Sequence, residues 1–305
     1  MAVTKSIHFD IQRKIVSNMT SESWETIPHS SFIYDADVTD FMKELKALNA
    51  ERAKEDRFTV NTVILKVIVE GLKAAPMLNS TIEFNRKLVR GRLDLHDDIN
   101  ISMPMILPNG KMMTINLHNF ENKSLTEMTE YIQDVVRRAN NTNLTEVMFE
   151  VSMDNTLKAL RKGHIATVIN RLIGSKTGKH KVKTLTGKAK REYYAIPEKD
   201  RLTFRDIEQG TVTVTNVGSV YRYQKGQVAL LEIIPPQVSA FCIGGIQERA
   251  GVKTDENGNK VFDARQILPI CMAFDHRAVD FGEVAPFLVK CDEIFANPSV
   301  IREWV

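Results

Sequence analysis

The chain has 305 residues, 43% of them hydrophobic, which suits a soluble globular protein of one large domain or two small ones. No apolar run approaches a membrane span, and the first ten residues carry neither an apolar signal core nor an Arg/Ser-rich transit pattern, so the expected setting is cytoplasmic. The net charge of +3 hides an asymmetry: Asn155 to Arg191 holds 11 Lys or Arg and no Asp or Glu, whereas the rest holds 30 basic and 38 acidic residues, a net of −8.

Taken in order, the chain opens with helical spacing at Ile11, Ile15, Val16 and Met19, and Trp24 to His29 is expected to break that helix. His29 reads as a turn residue beside Pro28. Ser31–Ala36 reads as a strand, and Asp37 to Asp40 offers cap residues to a helix running to about Ala53. Residues 58–75 are apolar on nearly every side and predict a buried helix, ended by Pro76. A hairpin is expected at Thr81–Phe84 and Lys87–Arg90. Two apolar runs in 99–116 flank a Pro108-Asn109-Gly110 turn. Ser124 with Glu127 three residues on is a capping box for a helix to Arg138.

Residues 141–200 form a basic insertion. Leu157, Leu160, Ile165, Val168, Ile169, Leu172 and Ile173 predict one or two amphipathic helices interrupted at Gly163, and the Gly-, Lys- and Thr-rich stretch 174–190 is expected to be mobile. Thr211–Thr215 alternates like a strand and runs into Asn216-Val217-Gly218. Asp255–Asn259 reads as a hairpin turn. The three cysteines, Cys242, Cys271 and Cys291, sit in apolar contexts and read as buried thiols of a reducing compartment. No Cys/His pair has metal-ligand spacing, so no metal is expected.

Residues 267–291 hold the densest chemistry. Ile267 to Phe274 read as a buried strand, Asp275-His276-Arg277 follows at once, and Asp280 stands four residues after the histidine. Helical apolar spacing resumes at Val284, Phe287, Leu288 and Cys291. Such an order puts an imidazole, which titrates near neutral pH, at the edge of a sheet. By spacing alone, the plainer reading is that His276 caps a strand, Asp280 starts a helix and Thr215 is an ordinary strand threonine.

Phe274-Asp275-His276-Arg277-Ala278-Val279-Asp280 resembles the signature of the dihydrolipoamide acyltransferases, the acyl-transferring subunits of 2-oxo acid dehydrogenase complexes. Asn18-Met19, Ile27-Pro28-His29, Ala36–Thr39, Thr215-Asn216-Val217-Gly218 and Ile233–Gln237 are similar to that family's catalytic domain as well. The resemblance covers 8–140 and 201–305, and it implies a single acyltransferase catalytic domain over 1–305. The implied fold is α/β, a chloramphenicol acetyltransferase-like mixed sheet flanked by helices, here with a helical basic insertion. No lipoyl domain is visible. The family's chemistry implies coenzyme A as a substrate, dihydrolipoamide on a separate lipoyl protein as acceptor, no metal, and a homotrimer that can build larger assemblies.

The resemblance also assigns roles. His276 is the general base and Thr215 the oxyanion donor, with His276 of one chain facing Thr215 of the next. Asp280 orients the site through an arginine, here Arg13, with Gln12 where a second arginine is usual. Asn216, Gly218 and Arg277 support the site. Two departures stand out. The family's glycine after the aspartate is Phe281, with Gly282 one later, and a glycine there permits close approach or positive φ. In the segment lining the implied channel, an acidic position is Ile106 and a proline is Thr114. Two further functions therefore compete with transfer to dihydrolipoamide: transfer from coenzyme A to another small acceptor, and a trimeric assembly protein with a decayed site.

The insertion fits several roles: a solvated excursion, a lid attracting coenzyme A phosphates or an acidic carrier, or a contact with an anionic membrane surface. Nucleic acid is not expected as a partner, since the basic stretch 155–191 holds no aromatic residue before Tyr193-Tyr194.

Overall fold

The computed structural model describes residues 2–106, 110, 112–161, 163, 165–178 and 181–305. Two compact units share them. The first comprises Met1–Glu22, Met105–Asn116 and Gln133–Gln209, and the second Ser23–Pro104, Leu117–Ile132 and Gly210–Val305.

The second unit is built on a mixed sheet. In spatial order its strands are β1 (His29–Asp37), β9 (Lys260–Asp275), β7 (Ser239–Ile243), β6 (Val212–Asn216) and β4 (Ile101–Ile106), whose last two residues fall, with nearly all of β5 (Met112–Leu117), in the first unit. A further strand, β8 (Gln247–Thr254), pairs with the first half of β9. Strand β9 runs antiparallel to β1, β7 and β8, whereas β6 is parallel to β7 and to β4. The expected α/β mixed sheet is thus present. From Leu268 to Asp275 every residue of β9 is buried, and this explains a continuous apolar run where a half-exposed strand would alternate. A separate hairpin pairs β2 (Ser80–Asn85) with β3 (Arg90–Leu95), longer than the expected 81–84 and 87–90.

Helix α3 (Val60–Ala74) buries ten of its residues, as its all-round apolar sequence predicts, and Thr59 caps it by accepting the Thr62 amide at 3.1 Å. Helix α8 (Phe281–Ala296) buries Val284, Phe287, Cys291, Ile294 and Phe295, and the Phe287 ring stacks on Phe241 of β7 at 4.9 Å. The capping box of α4 (Leu125–Asn140) forms reciprocally: the Ser124 amide donates to Glu127 at 2.8 Å, and the Glu127 amide to the Ser124 hydroxyl at 3.2 Å.

Three boundaries differ from expectation near the N-terminus. Helix α1 (Ile11–Thr26) runs on through Trp24, and β1 begins at His29 rather than Ser31. Trp24 stands on an exposed side of the helix, so its bulk does not end it. Helix α2 (Thr39–Ala50) stops short of Ala53.

The first unit carries the insertion. Helices α5 (Leu144–Arg161) and α6 (Ile165–Lys176) are separated at Gly163, whose φ of +80° is the left-handed conformation that glycine adopts without strain. Within 174–190, expected to be mobile, α6 reaches Lys176, residues 181–186 belong to no regular element, and α7 (Gly187–Ala195) follows. Glu146, fully buried on α5, accepts from the Leu185 amide and from the Tyr194 hydroxyl, so a distant carboxylate fixes this polar stretch. The expected Pro108-Asn109 turn lies outside the described residues, as do Lys111, Lys162, His164, Lys179 and His180.

Candidate active site

Backbone hydrogen bonds fix the end of β9 on both sides. The Asp275 amide donates to the Val238 carbonyl at 2.8 Å, and the His276 amide to the Pro28 carbonyl at 3.1 Å. The Asp275 carboxylate is completely buried, and Arg277 occupies both of its oxygens, with Nη2 at 2.6 Å from Oδ2 and Nε at 3.0 Å from Oδ1. The Arg277 amide adds a third bond to Oδ1 at 2.9 Å. A buried carboxylate is tolerated when it is paired and hydrogen-bonded in this way. Arg277 therefore folds back onto Asp275 and leaves His276 between them pointing outward.

The His276 ring is about half exposed, and its Nδ1 lies 3.1 Å from Asp280 Oδ1. An ionised carboxylate only accepts hydrogen bonds, so the contact selects the neutral tautomer with the proton on Nδ1 and the lone pair on Nε2. Asp280 is itself positioned as the N-cap of α8: its side chain accepts the Glu283 amide, and the Glu283 carboxylate accepts the Asp280 amide at 2.8 Å. The arginine expected to pair with Asp280, Arg13, has its amide bonded to Asp10 at 2.8 Å on α1 in the first unit. Within the second unit, the described partners of the Asp280 carboxylate are His276 and Glu283.

Phe281 is accommodated without the backbone that a glycine would supply. It is the first residue of α8, it is absent from the positive-φ residues, and its ring meets Phe32 edge-on at 5.3 Å.

Thr215 stands on β6, half-buried. The next residues form a tight turn. Asn216 donates its Nδ2 to Asn61 Oδ1 at 2.6 Å and accepts the Ser219 amide at 2.8 Å. A Cβ on Gly218 would sit 2.2 Å from the Gly244 carbonyl oxygen, so the glycine of Asn-Val-Gly is demanded by backbone packed against backbone.

The register separates Thr215 from His276 within one chain. Thr215 lies opposite Cys242 of β7, which lies opposite Cys271 of β9. His276 is five residues further along, roughly 17 Å by strand rise, and two strand spacings away. Both side chains are presented by the same sheet, but too far apart to act on one thioester together.

His29 is the residue that sequence reasoning undervalued. It pairs in register with Asp275, directly beside His276. Its Nε2 accepts the Ile233 amide at 3.1 Å, because the Ser23 hydroxyl is spent on the Ile233 carbonyl at 2.7 Å. Its Nδ1 is buried without a protein partner, and the Trp24 ring lies over it at 5.2 Å. The signal in the sequence was the Pro28-His29 pair, but its partner is about two hundred residues distant.

None of the cysteines is placed to act as a nucleophile. All three are buried and free. Burial pushes Cys242 and Cys271 up to about 11 and Cys291 up to about 12.

A strand-end histidine beside a carboxylate and a Thr-Asn-x-Gly turn two strands away thus share one mixed sheet. The family model described as 2-oxoacid dehydrogenases acyltransferase (catalytic domain) matches residues 3–152 and 180–302, and the chain belongs to that family. Its relatives include the dihydrolipoyllysine-residue acetyltransferase components of the pyruvate dehydrogenase complexes of Haemophilus influenzae and Zymomonas mobilis. The first is 23% identical over 93% of this chain and 38% of its own length, the second 20% identical over 96% and 50%. The chain thus spans half or less of these relatives.

Among solved structures, a probable dihydrolipoamide acetyltransferase from Listeria monocytogenes superimposes with a TM-score of 0.64 at 20% identity, covering 98% of this chain and 97% of that one. The truncated catalytic core of the 2-oxoacid dehydrogenase multienzyme complex from Thermoplasma acidophilum gives 0.60 at 18% identity, covering 96% and 99%. These likenesses establish the fold.

Proposed function

We propose that the protein transfers an acyl group between coenzyme A and the thiol of dihydrolipoamide held on a lipoyl carrier protein. The observation that carries this reading is the His276–Asp280 contact, which leaves Nε2 as the free base of a half-exposed imidazole. Nε2 takes the proton of the attacking thiol, and the resulting thiolate adds to the thioester carbonyl. The Thr215 hydroxyl donates to the oxyanion of the tetrahedral intermediate, a contribution on the order of 10² to 10³-fold. Collapse expels the other sulfur, which recovers the proton from the imidazolium. Asn216 and Gly218 hold Thr215 in place, Arg277 holds the His276 turn, and Arg13 is a further support for Asp280.

The acting pair comes from two subunits of a homotrimer: the roughly 17 Å strand offset within one chain supports His276 serving the Thr215 of a neighbour. Trimers of this kind can assemble further, as in the cores of multienzyme complexes among the structural relatives. The buried free thiols support a reducing, cytoplasmic setting.

One observation favours a different small acceptor. The Phe281–Phe32 ring pair puts two aromatic rings immediately after Asp280, where the family has a glycine, and such added bulk supports an altered acceptor.

Incubation with a panel of acyl-coenzyme A thioesters and dihydrolipoamide, followed by mass spectrometry, tests both readings. Acyl-dihydrolipoamide that disappears with His276→Ala supports the first. Acyl transfer to other small acceptors and none to dihydrolipoamide supports the second. Retention of full transfer by His276→Ala overturns the mechanism.

A further inference from the structure

Residues 153–179 are unmatched by the family model, and the acyl-transfer site does not use them. They form the end of α5 and all of α6, a helical pair fixed to α1 by the Lys14 ammonium, which donates to the Gly174 carbonyl at 2.9 Å. Helix α6 has a wider apolar arc than α5 covers. Val168 is buried and Leu172 half-buried, but Ile165, Ile169 and Ile173 are 60%, 50% and 55% exposed. Spaced four apart, these three lie on one face. Leu157 and Leu160 at the end of α5 are also about half exposed. Isolated exposed aliphatics are ordinary on a protein surface, whereas three aligned as a ridge on one helix face, with two more on the adjoining helix, call for an occupant.

The sequence that carries α6 has charge of one sign. No acidic residue occurs between Asn155 and Arg191. Lys158 is paired with Asp154, but Arg161, Arg171 and Lys176 are exposed and none forms an ion pair among the described residues. Isoleucines beside unpaired cations match the two layers of a membrane interface, acyl chains beneath and phosphates above. An acidic protein patch would satisfy the cations and leave the isoleucines wet. A symmetric contact between two copies would cover the isoleucines but bring two basic segments together. No described helix is long and apolar enough to cross a bilayer, so the ridge would lie on the membrane.

We propose that the α5–α6 pair docks the protein on an anionic lipid surface, with Ile165, Ile169 and Ile173 entering the headgroup boundary and Arg161, Arg171 and Lys176 meeting lipid phosphates. The test is co-sedimentation of the full chain with vesicles of phosphatidylcholine alone and of phosphatidylcholine with phosphatidylglycerol. Binding is expected only to the second and falls with added salt. Ile169→Asp with Ile173→Asp abolishes it. Arg171→Gln with Lys176→Gln, a surface change that spares folding, weakens it by about fivefold per charge. Light scattering on each variant gives an unchanged oligomer mass. The proposal is overturned if the wild-type chain stays in the supernatant with anionic vesicles at low salt. It is equally overturned if the aspartate variants still bind, or if they lose oligomer mass while the wild type binds no vesicle, which would make the ridge a subunit contact.

Discussion

The imidazole of His276 and the carboxylate of Asp280 meet across a single turn at 3.1 Å, and the same carboxylate caps the helix that follows. One side chain thus serves both stability and tautomer control, and substitution can separate the two. Asn is as good an N-cap as Asp, whereas Ala loses about 1 kcal/mol. Asp280→Asn should keep the melting temperature and lower kcat by about 10- to 100-fold. This falls short of the ~10⁴ of a buried triad because the pair is exposed. Asp280→Ala should lower both. Equal kcat in Asp280→Asn and the wild type would remove Asp280 from the mechanism.

Arg277 acts through a different neighbour. It supplies three side-chain contacts to a fully buried Asp275, so its loss strands a charge in the core. Breaking such a pair from one side costs about 3–5 kcal/mol. Arg277→Met should therefore lower the urea midpoint steeply, and Arg277→Lys should rescue little, since an ammonium cannot copy the two-pronged geometry. Asp275→Asn with Arg277→Met should be milder than Arg277→Met alone, which urea titration of the three variants measures.

Thr215 tests the other half of the reaction. Thr215→Ser keeps a hydroxyl and should keep most of kcat. Thr215→Val preserves shape and strand propensity but should lower kcat by about 10² to 10³-fold with little change in KM, because the donor acts on the oxyanion. If the site is shared between subunits, mixing Thr215→Val with His276→Ala protein after dissociation and reassembly should restore part of the activity. Absence of any recovery would argue for a site within one chain.

How far the fold was legible follows from how local its causes are. The helix over 60–74, the capping box at Ser124 and Glu127 and the buried half of β9 each depend on residues a few positions apart, and all were readable. The ordering of 181–195 was not, because its anchor is Glu146, 39 residues from Leu185. His29 was passed over for the same reason: its acceptor role depends on the Ile233 amide, 204 residues away. The His276–Asp280 spacing was visible as a motif, but the contact itself and the double role of Asp280 as helix cap needed the local geometry of the turn. Phe281 stands where the family has a glycine, and the sequence could not tell that the backbone there is helical, so that no positive φ is required.

The cysteines give a pH signature. Burial raises Cys242 and Cys271 to about 11 and Cys291 to about 12, so at pH 8 only about one thiol in a thousand is ionised, against a substantial share at the unfolded value near 8.5. An aromatic disulfide reagent should label none of the three in the native protein at pH 8 and all three in guanidinium chloride. These groups are favoured neutral in the fold. Their contribution is therefore complete below about pH 8.5 and lost as pH rises through about 11 to 12. Melting temperature should fall along that alkaline limb, and Cys242→Ala or Cys271→Ala should flatten it. Rapid native labelling would contradict the burial on which this rests.

Gly218 offers the sharpest test of the turn that carries Thr215. Its missing Cβ leaves room for the Gly244 carbonyl oxygen, which a methyl group would approach to 2.2 Å, with the Gly245 nitrogen at 2.8 Å. Both obstacles are backbone, so neither can rotate away. Gly218→Ala must push the 216–219 turn from the Gly244–Gly245 segment, against the amide bonds that Val217 and Gly218 make to the Ile243 carbonyl at 3.1 and 3.3 Å. Overpacking of this kind costs about 1–3 kcal/mol. The displaced turn also moves the Asn216 bond to Asn61, and with it the end of β6 where Thr215 stands. Gly218→Ala should therefore lose kcat beyond what its stability loss explains, measured well below its melting temperature. Gly282→Ala, whose added methyl would meet nothing within 4 Å, is the matched control and should change neither. A Gly218→Ala enzyme with normal kcat at low temperature would mean that the turn holds the fold without positioning the threonine.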